Sequence, residues 1–445
     1  MIPVNQIQSR PNILLVFTDQ QRFDTIRALG SKFSAQTPHM DALVKEGVVF
    51  DQCFCTAPIC SPSRATMMTG LFPHQAGMPG NLYAPCPPLS VAIPTLGNFL
   101  RAGGYETAYH GKWHMGGHVK DYGFDVGRET SHDPSSVNEA ADFWRNRDWI
   151  ANERPFFHVV SLINPHDLYY YDQRGRVENF RRPWKNCGRP VEELPPVVKN
   201  RITPDWPEEK WGEYFKYYSE QIERCDKDLG ELIHMFRTGG YFNNSWIIFT
   251  TDHGDMAGEQ DLPFKGPWMY EGQVKIPMVI IPPQTHILGA DRSGVFEHNI
   301  APFTCSSLCS NLDLAPTIMD LAGIKKPDNM AGKSLLPWIK KETDGDVHDV
   351  VFAQWHQPPL RMTRTRRYKW VKYLDGFEEF FDLQEDPNET RNLAGKPEVA
   401  QAQEDLKARF IKYLRDSKDP FCDLKDHEYI FDPTPYTWTG TKAKA

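Results

Sequence analysis

The chain has 445 residues, enough for two or three domains' worth of core. Its formal net charge of -8 argues against general affinity for nucleic acid or anionic membrane. No apolar run is long enough to span a bilayer, so no membrane segment is expected. The stretch from Met1 to Gln20 lacks a basic region followed by an apolar core and a small-residue cleavage site. As it stands the sequence predicts a cytoplasmic protein, or a periplasmic or secreted one if a leader was removed.

In chain order, Asn12 to Thr18 is a continuous apolar run, the pattern of a strand covered on both faces. Thr37-Pro38 starts a helix that Gly47 stops, and Pro94 to Ala102 forms another that ends at Gly103-Gly104. Phe156 to Leu162 and Trp246 to Thr251 repeat the buried-strand pattern, and Met278 to Ile281 is a shorter example. A long helix from Trp211 to about Arg237 is broken by Gly239-Gly240, and a further helix spans Asn311 to Ala322. Strands alternating with helices predict an α/β domain built on a large, mostly parallel central sheet flanked by helices.

The character changes after about residue 345. Val350 to Gln354, Arg367 to Leu374 and Glu378 to Asp382 read as short antiparallel strands, with Asp375-Gly376 as a hairpin turn. A helix from Pro397 to about Arg415 follows. The division is therefore a catalytic α/β domain over 1–345 and a smaller C-terminal α+β subdomain, with an antiparallel sheet, over 346–445. The stretch from His166 to about Lys210, rich in Pro, Arg and aromatics, reads as a lid or substrate wall.

Three buried strands end in polar residues: Asp19-Gln20, Asn164-Pro165-His166 and Asp252-His253-Gly254. A single Asp after a strand is ordinarily a cap or turn residue. Three such ends at one sheet edge are different, because ligands of open α/β sheets bind outside the carboxyl ends of the strands. Two carboxylates with an amide oxygen and an imidazole make a nest for a divalent cation. The nine cysteines, at irregular spacing, fit neither a disulfide framework nor a zinc site. Eight read as small buried side chains; Cys60 is the exception.

Cys60-Ser61-Pro62-Ser63-Arg64, continuing through Thr69-Gly70, resembles the signature of the type I, formylglycine-dependent sulfatases of the alkaline phosphatase-like superfamily. Gly111-Lys112-Trp113-His114-Met115-Gly116, preceded by Gly104 to Ala108, is similar to the family's second motif. Thr251 to Met256, Lys265-Gly266, Tyr270-Glu271-Gly272, Asp313 to Thr317, Arg366 to Lys369 and Phe381 to Leu393 continue the likeness in order. It covers about residues 11 to 395. The resemblance implies an alkaline phosphatase-like fold and a sulfuric ester hydrolase.

Carried over residue by residue, the resemblance implies that Asp19, Gln20, Asp252 and His253 hold a metal together with formylglycine made from Cys60. It implies that Arg64 steadies that group, and that Lys112, His114, His166 and Lys265 surround the sulfate. Many members have Asp-Asp at 19–20 and Asp-Asn at 252–253. The Gln20 and His253 forms occur in choline sulfatase-like and phosphonate monoester hydrolase relatives. All-oxygen sites suit Ca²⁺ while a histidine ligand tilts toward Mn²⁺; Ca²⁺ is the expectation and Mn²⁺ its alternative.

These residues suit the reaction. A hydrated aldehyde carries two hydroxyls on one carbon, one to attack sulfur and one to expel sulfate afterwards. A cation lowers the pKa of the attacking hydroxyl. A helix N-terminus near Pro62 adds positive potential, and Lys112, Lys265 and Arg64 bind charge that persists in the transition state. His114 fits a base, and either His166 or Lys265 fits the acid for the leaving oxygen. His74 to Met78, Tyr169, Tyr170, Tyr171, Trp268, Trp355 and His356 are aromatic or polar candidates for the substrate wall, although core packing is the more ordinary role for each.

The expected substrate is a sulfate monoester on a terminal sugar of a sulfated glycan, with a formylglycine-generating enzyme as maturation partner. The alternatives are a choline-sulfate-like small substrate, a phosphonate monoester or phosphodiester, and a silent glycan-binding protein.

Overall fold

The computed structural model describes residues 10–82, 86–147, 154–173, 190, 193–199, 206–283 and 300–423. Its fifteen strands are β1 (Asn12–Asp19), β2 (Val48–Phe50), β3 (Cys53–Phe54), β4 (Glu106–Gly111), β5 (Val126–Glu129), β6 (Phe156–Pro165), β7 (Ser245–Thr251), β8 (Lys275–Ile276), β9 (Met278–Ile281), β10 (Phe303–Cys305), β11 (Cys309–Ser310), β12 (Val351–Trp355), β13 (Leu360–Arg364), β14 (Tyr368–Tyr373) and β15 (Glu378–Asp382). Eight of them form the central sheet in the order β10-β2-β9-β7-β1-β6-β4-β5. Every neighbouring pair is parallel except the two that β9 makes with β2 and β7. This is the large, mostly parallel sheet anticipated from the apolar runs; β9 is its one reversed strand.

The continuous apolar runs follow from burial on both faces. Along β1, Ile13, Leu15 and Phe17 join one core, with Ala65, Met67, Met68, Leu96, Leu100 and Ile318 from the helices Cys60–Thr69, Leu96–Ala102 and Leu314–Leu321. The alternate residues Leu14 and Val16 join a second core, with Met40, Leu43, Val137, Trp144, Leu229 and Phe236 from the helices Pro38–Glu46, Asp133–Arg145 and Glu208–Thr238. A strand buried on both faces has no polar side to show.

The C-terminal sheet is antiparallel, in the order β12-β13-β14-β15. One face, with Ala353, Met362, Val371 and Phe381, continues the first core. The other, with Trp370 and Phe380, packs on Leu406, Phe410 and Tyr413 of the helix Ala400–Ser417. The sequence reading missed β13 because its buried side chains include Arg361, Thr363 and Arg364. Arg361 is paired with Asp419 and Arg364 with Glu271, which offsets the cost of burying them. Most of the stretch read as a lid or wall lies outside the described residues.

Candidate active site

The parallel register brings the three polar strand ends together. Thr18 of β1 lies opposite Thr251 of β7, and Asp19 lies opposite Pro165 of β6. Asp19, Asp252 and His253 therefore emerge side by side with no exposed surface, and His166 follows the end of β6.

Cys60 opens the helix Cys60–Thr69, two residues earlier than the expected start near Pro62. Proline is tolerated there because first-turn N–H groups need no intrahelical partner. All ten residues of this helix are buried. Its N-terminus points Cys60 at the strand ends: Sγ lies 3.3 Å from His253 Nε2 and 3.6 Å from Asp19 Oδ1. One turn along, Arg64 spans the two acids, with Nη2 donating to Asp19 at 2.8 Å and Nε to Asp252 at 2.8 Å. Its remaining bonds go to the Lys112 carbonyl and Ser161 Oγ. The resemblance implied that Arg64 steadies position 60; its Nε and Nη2 go to the carboxylates beside that position.

The basic groups arrive from three loops. Gly111 ends β4 at φ +105°, where a Cβ would stand 1.9 Å from the Ser161 carbonyl. That close approach lets Lys112 turn back, so that Nζ reaches Asp19 at 2.6 Å and lies 3.8 Å from Cys60 Sγ. Lys265 Nζ lies 2.8 Å from Sγ and 3.4 Å from His253 Nε2. His114, held by Ser61 Oγ donating to its carbonyl at 2.7 Å, and His166 both hydrogen-bond Cys60.

Charge follows from this geometry. Burial opposes ionisation of Cys60, but Lys112, Lys265 and His253, with the His114 hydrogen bond, hold its thiol well below the usual range. Burial and Cys60 push Asp19 up, yet Lys112, His166 and Lys265 outweigh them and keep it ionised. Burial, then the charge of Asp19, raises Asp252 to about 6. Burial, then Lys112 and Lys265, lowers His166 to about 4, so its imidazole is neutral at pH 7. Burial opposes the Lys265 ammonium, but Cys60, Tyr169 and Asp19 hold it charged.

One oxygen or ring nitrogen from each of Asp19, Asp252 and His253, with Cys60 Sγ, lies within 4.8 Å of the others. Nδ1 of His253 is committed to the Gly254 carbonyl at 2.8 Å, which leaves Nε2 facing the group. An outer hydrogen bond of this kind fixes the tautomer of a ligating histidine. Arg64 takes Oδ2 of Asp19 and Oδ2 of Asp252, which leaves Oδ1 of each within 3.9 Å and 3.7 Å of His253 Nε2. A divalent cation fits these donors.

The fifth expected ligand, Gln20, sits at φ 66° with its N–H donating to Asp252 Oδ1 at 3.1 Å. Its Nε2 donates to Asp255 at 2.7 Å. The sequence reading passed over Asp255, Tyr214 and Tyr218. Tyr218 donates to the Gln20 carbonyl and Tyr214 to Asp255. Their spacing of four along one helix was the available signal. Tyr169 stacks on Phe264 and meets the His166 ring edge-on. Trp268 is buried in the first core.

Comparison with known proteins agrees with this geometry. The sulfatase family model matches residues 11–324, and a model for the C-terminal part of N-sulphoglucosamine sulphohydrolase matches 258–416. The chain is 29% identical to an ulvan-active sulfatase of Formosa agariphila, over 95% of this chain and 85% of that one. It is 26% identical to a Delta 4,5-hexuronate-2-O-sulfatase of Bacteroides thetaiotaomicron, over 94% and 92%. The fold superposes on a 2-O GAG sulfatase with a TM-score of 0.80 and 24% identity, covering 94% of each chain.

Proposed function

Because this chain belongs to the sulfatase family and is a sulfuric ester hydrolase, we propose that it removes a sulfate group from a terminal sugar of a sulfated glycan, with a nucleophile made from Cys60. The observation that carries the reading is the setting of Cys60. Its Sγ sits at a helix N-terminus with Lys265 Nζ at 2.8 Å, Lys112 Nζ at 3.8 Å and Asp19 Oδ1 at 3.6 Å. A tetrahedral anion beside position 60 is gripped by both ammonium groups. The relatives named for ulvan, hexuronate and GAG support the glycan.

In this reading Asp19, Asp252, His253 and the Gln20 amide would hold Ca²⁺, with Mn²⁺ the alternative that the imidazole favours. Residue 60, oxidised to formylglycine and hydrated, would supply an oxygen nucleophile, whose acidity and the screening of the sulfate are the chemistry that such a cation would provide. Arg64 keeps the two acids apart and aimed. Lys112 and Lys265 bind the sulfate oxygens, whose charge persists in the transition state. The two candidate acids for the leaving oxygen are Lys265, with Nζ 2.8 Å from Cys60 Sγ, and His166, which follows the end of β6. The whole signature helix is buried, so a formylglycine-generating enzyme must meet Cys60 before the chain folds.

The test is sulfate release from a panel of sulfated mono- and disaccharides, with choline sulfate, an aryl sulfate and an aryl phosphonate alongside. Fastest turnover on a sulfated sugar is expected. Faster cleavage of choline sulfate or the phosphonate would overturn the substrate assignment. An unmodified thiol at Cys60 in protein from the native host would overturn the nucleophile.

A further inference from the structure

The side chain of Gln20 raises a question of direction. An amide has an oxygen end and a nitrogen end, and only the oxygen can serve a cation. The rest of the residue is fixed. Its N–H donates to Asp252 Oδ1 at 3.1 Å and its carbonyl accepts from Tyr218 at 2.7 Å. The Tyr169 hydroxyl does not choose an end, lying 3.3 Å from Nε2 and 3.4 Å from Oε1. Asp255 Oδ2 does choose, at 2.7 Å. Oδ1 of Asp255 already accepts two hydrogen bonds, and Oδ2 accepts one from the amide nitrogen of Gln20.

Asp255 is itself locked and has no exposed surface. Its Oδ1 accepts from Tyr214 Oη at 2.5 Å and from the Ala257 N–H at 2.7 Å. Arg22 Nη1 holds its backbone carbonyl at 2.8 Å. None of these contacts belongs to the four-residue group of Asp19, Cys60, Asp252 and His253. A carboxylate at position 20 would face Asp255 across the same short gap, and two buried carboxylates so close cannot both ionise. The amide at position 20 and the acid at 255 are thus matched.

We propose that Asp255 is a positioning residue for the cation: by taking Nε2 of Gln20 on Oδ2, it turns Oε1 toward the cation held by Asp19, Asp252 and His253. This rests on the reading that those residues bind a cation.

Asp255→Asn gives a directional test. The Tyr214 hydroxyl and the Ala257 N–H both donate at the Oδ1 position, so the single oxygen of asparagine stays there. Its Nδ2 then replaces Oδ2 and faces Gln20, and two NH₂ groups cannot meet. Gln20 turns over, gives Oε1 to Nδ2 and points Nε2 at the cation. In the double variant Gln20→Glu with Asp255→Asn, one oxygen of the carboxylate introduced at position 20 accepts from Nδ2 and the other faces the cation.

The experiment titrates Ca²⁺, and separately Mn²⁺, into the chelator-treated full chain by calorimetry, with melting of each metal-free variant as the folding control. Asp255→Asn should weaken binding by about 10–100-fold, the usual cost of losing an outer hydrogen bond to a ligand. On a Gln20→Ala background the same change should cost nothing further. The double variant should bind within a few-fold of the wild type, and it carries the test if the single variant does not fold. Unchanged affinity in Asp255→Asn, or no recovery in the double variant, overturns the proposal. Asp252→Ala separates the two failures. If it binds cation as the wild type does, the underlying cation reading falls, and this inference with it. If it does not bind while Asp255→Asn binds normally, only the positioning role falls.

Discussion

Replacing Arg64 by methionine removes a charge at nearly constant volume, so the cost is electrostatic and not that of a cavity. The guanidinium is fully buried and donates to Asp19 and Asp252 at 2.8 Å each. Removing one partner of a buried ion pair costs about 3–5 kcal/mol, because the other charge is left uncompensated. For 445 residues, at about 2.1 cal/mol/K each, the unfolding entropy is about 0.9 kcal/mol/K. Arg64→Met should therefore lower the melting temperature of the chelator-treated protein by about 3–5 °C.

The pH dependence identifies the cause. Burial and the charge of Asp19 already raise Asp252 to about 6, above its unfolded value, so the native state binds more protons than the unfolded one as pH falls through 6. Protonation on that limb favours the fold. Without Arg64, Asp252 titrates higher still, and each further unit returns about 1.36 kcal/mol once the pH is below it. The gap between wild type and variant should thus be largest near pH 8 and shrink by pH 5, read by calorimetric melting at both. An equal gap at the two values would show that the loss comes from packing and would refute the electrostatic account.

Other perturbations address single roles. Cys60→Ala should abolish sulfate release while melting close to the wild type, because the residue serves the reaction; retained turnover would remove it as nucleophile. Asp252→Ala should strip the cation, as elemental analysis of the purified protein would reveal; stoichiometric metal would contradict its assignment. Lys265→Ala should slow esters with poor leaving groups more than those with good ones, and equal losses on an aryl sulfate series would leave it a binding role only. Away from the site, burial lowers His110 to about 4, against a buried His158 whose ring nitrogen lies 2.8 Å away. A histidine depressed on folding gives stability that is complete above about pH 6.5 and is lost on acidification toward 4. His110→Leu should flatten the acid limb, with a relative gain of about 2 kcal/mol between pH 7 and pH 5; parallel curves in denaturant melts would show that His110 protonates freely in the fold.

Much of this was legible because two features of the sequence report position directly. A strand buried on both faces must read as an unbroken apolar run, so β1, β6 and β7 were found, and the residues after them fell at one sheet edge. The motifs that carry the family resemblance marked Cys60, Lys112 and Lys265. What the sequence hid was anything whose polarity is neutralised by a distant partner. β13 carries two arginines into the interior, and only Asp419 and Glu271, at 58 and 93 residues' distance, explain why that is tolerated. Composition cannot distinguish a paired buried arginine from a solvated one.

The same reasoning explains why the roles of Arg64 and Asp255 were harder to read than their presence. The family resemblance implied that Arg64 steadies the group at position 60. A guanidinium has five donors, however, and satisfies them where acceptors are densest. The densest acceptors are Asp19 and Asp252, on two strands far apart in the chain, with the Lys112 carbonyl just past the end of β4. Asp255 was one acid in a motif full of polar residues, and its part emerges only once the Gln20 amide is seen to need a direction. In the proposed reading, the side chain bonded to a ligand, and not the ligand itself, decides in both cases which atom faces the cation; pairing across the sheet sets that choice, and pairing is a property of the fold.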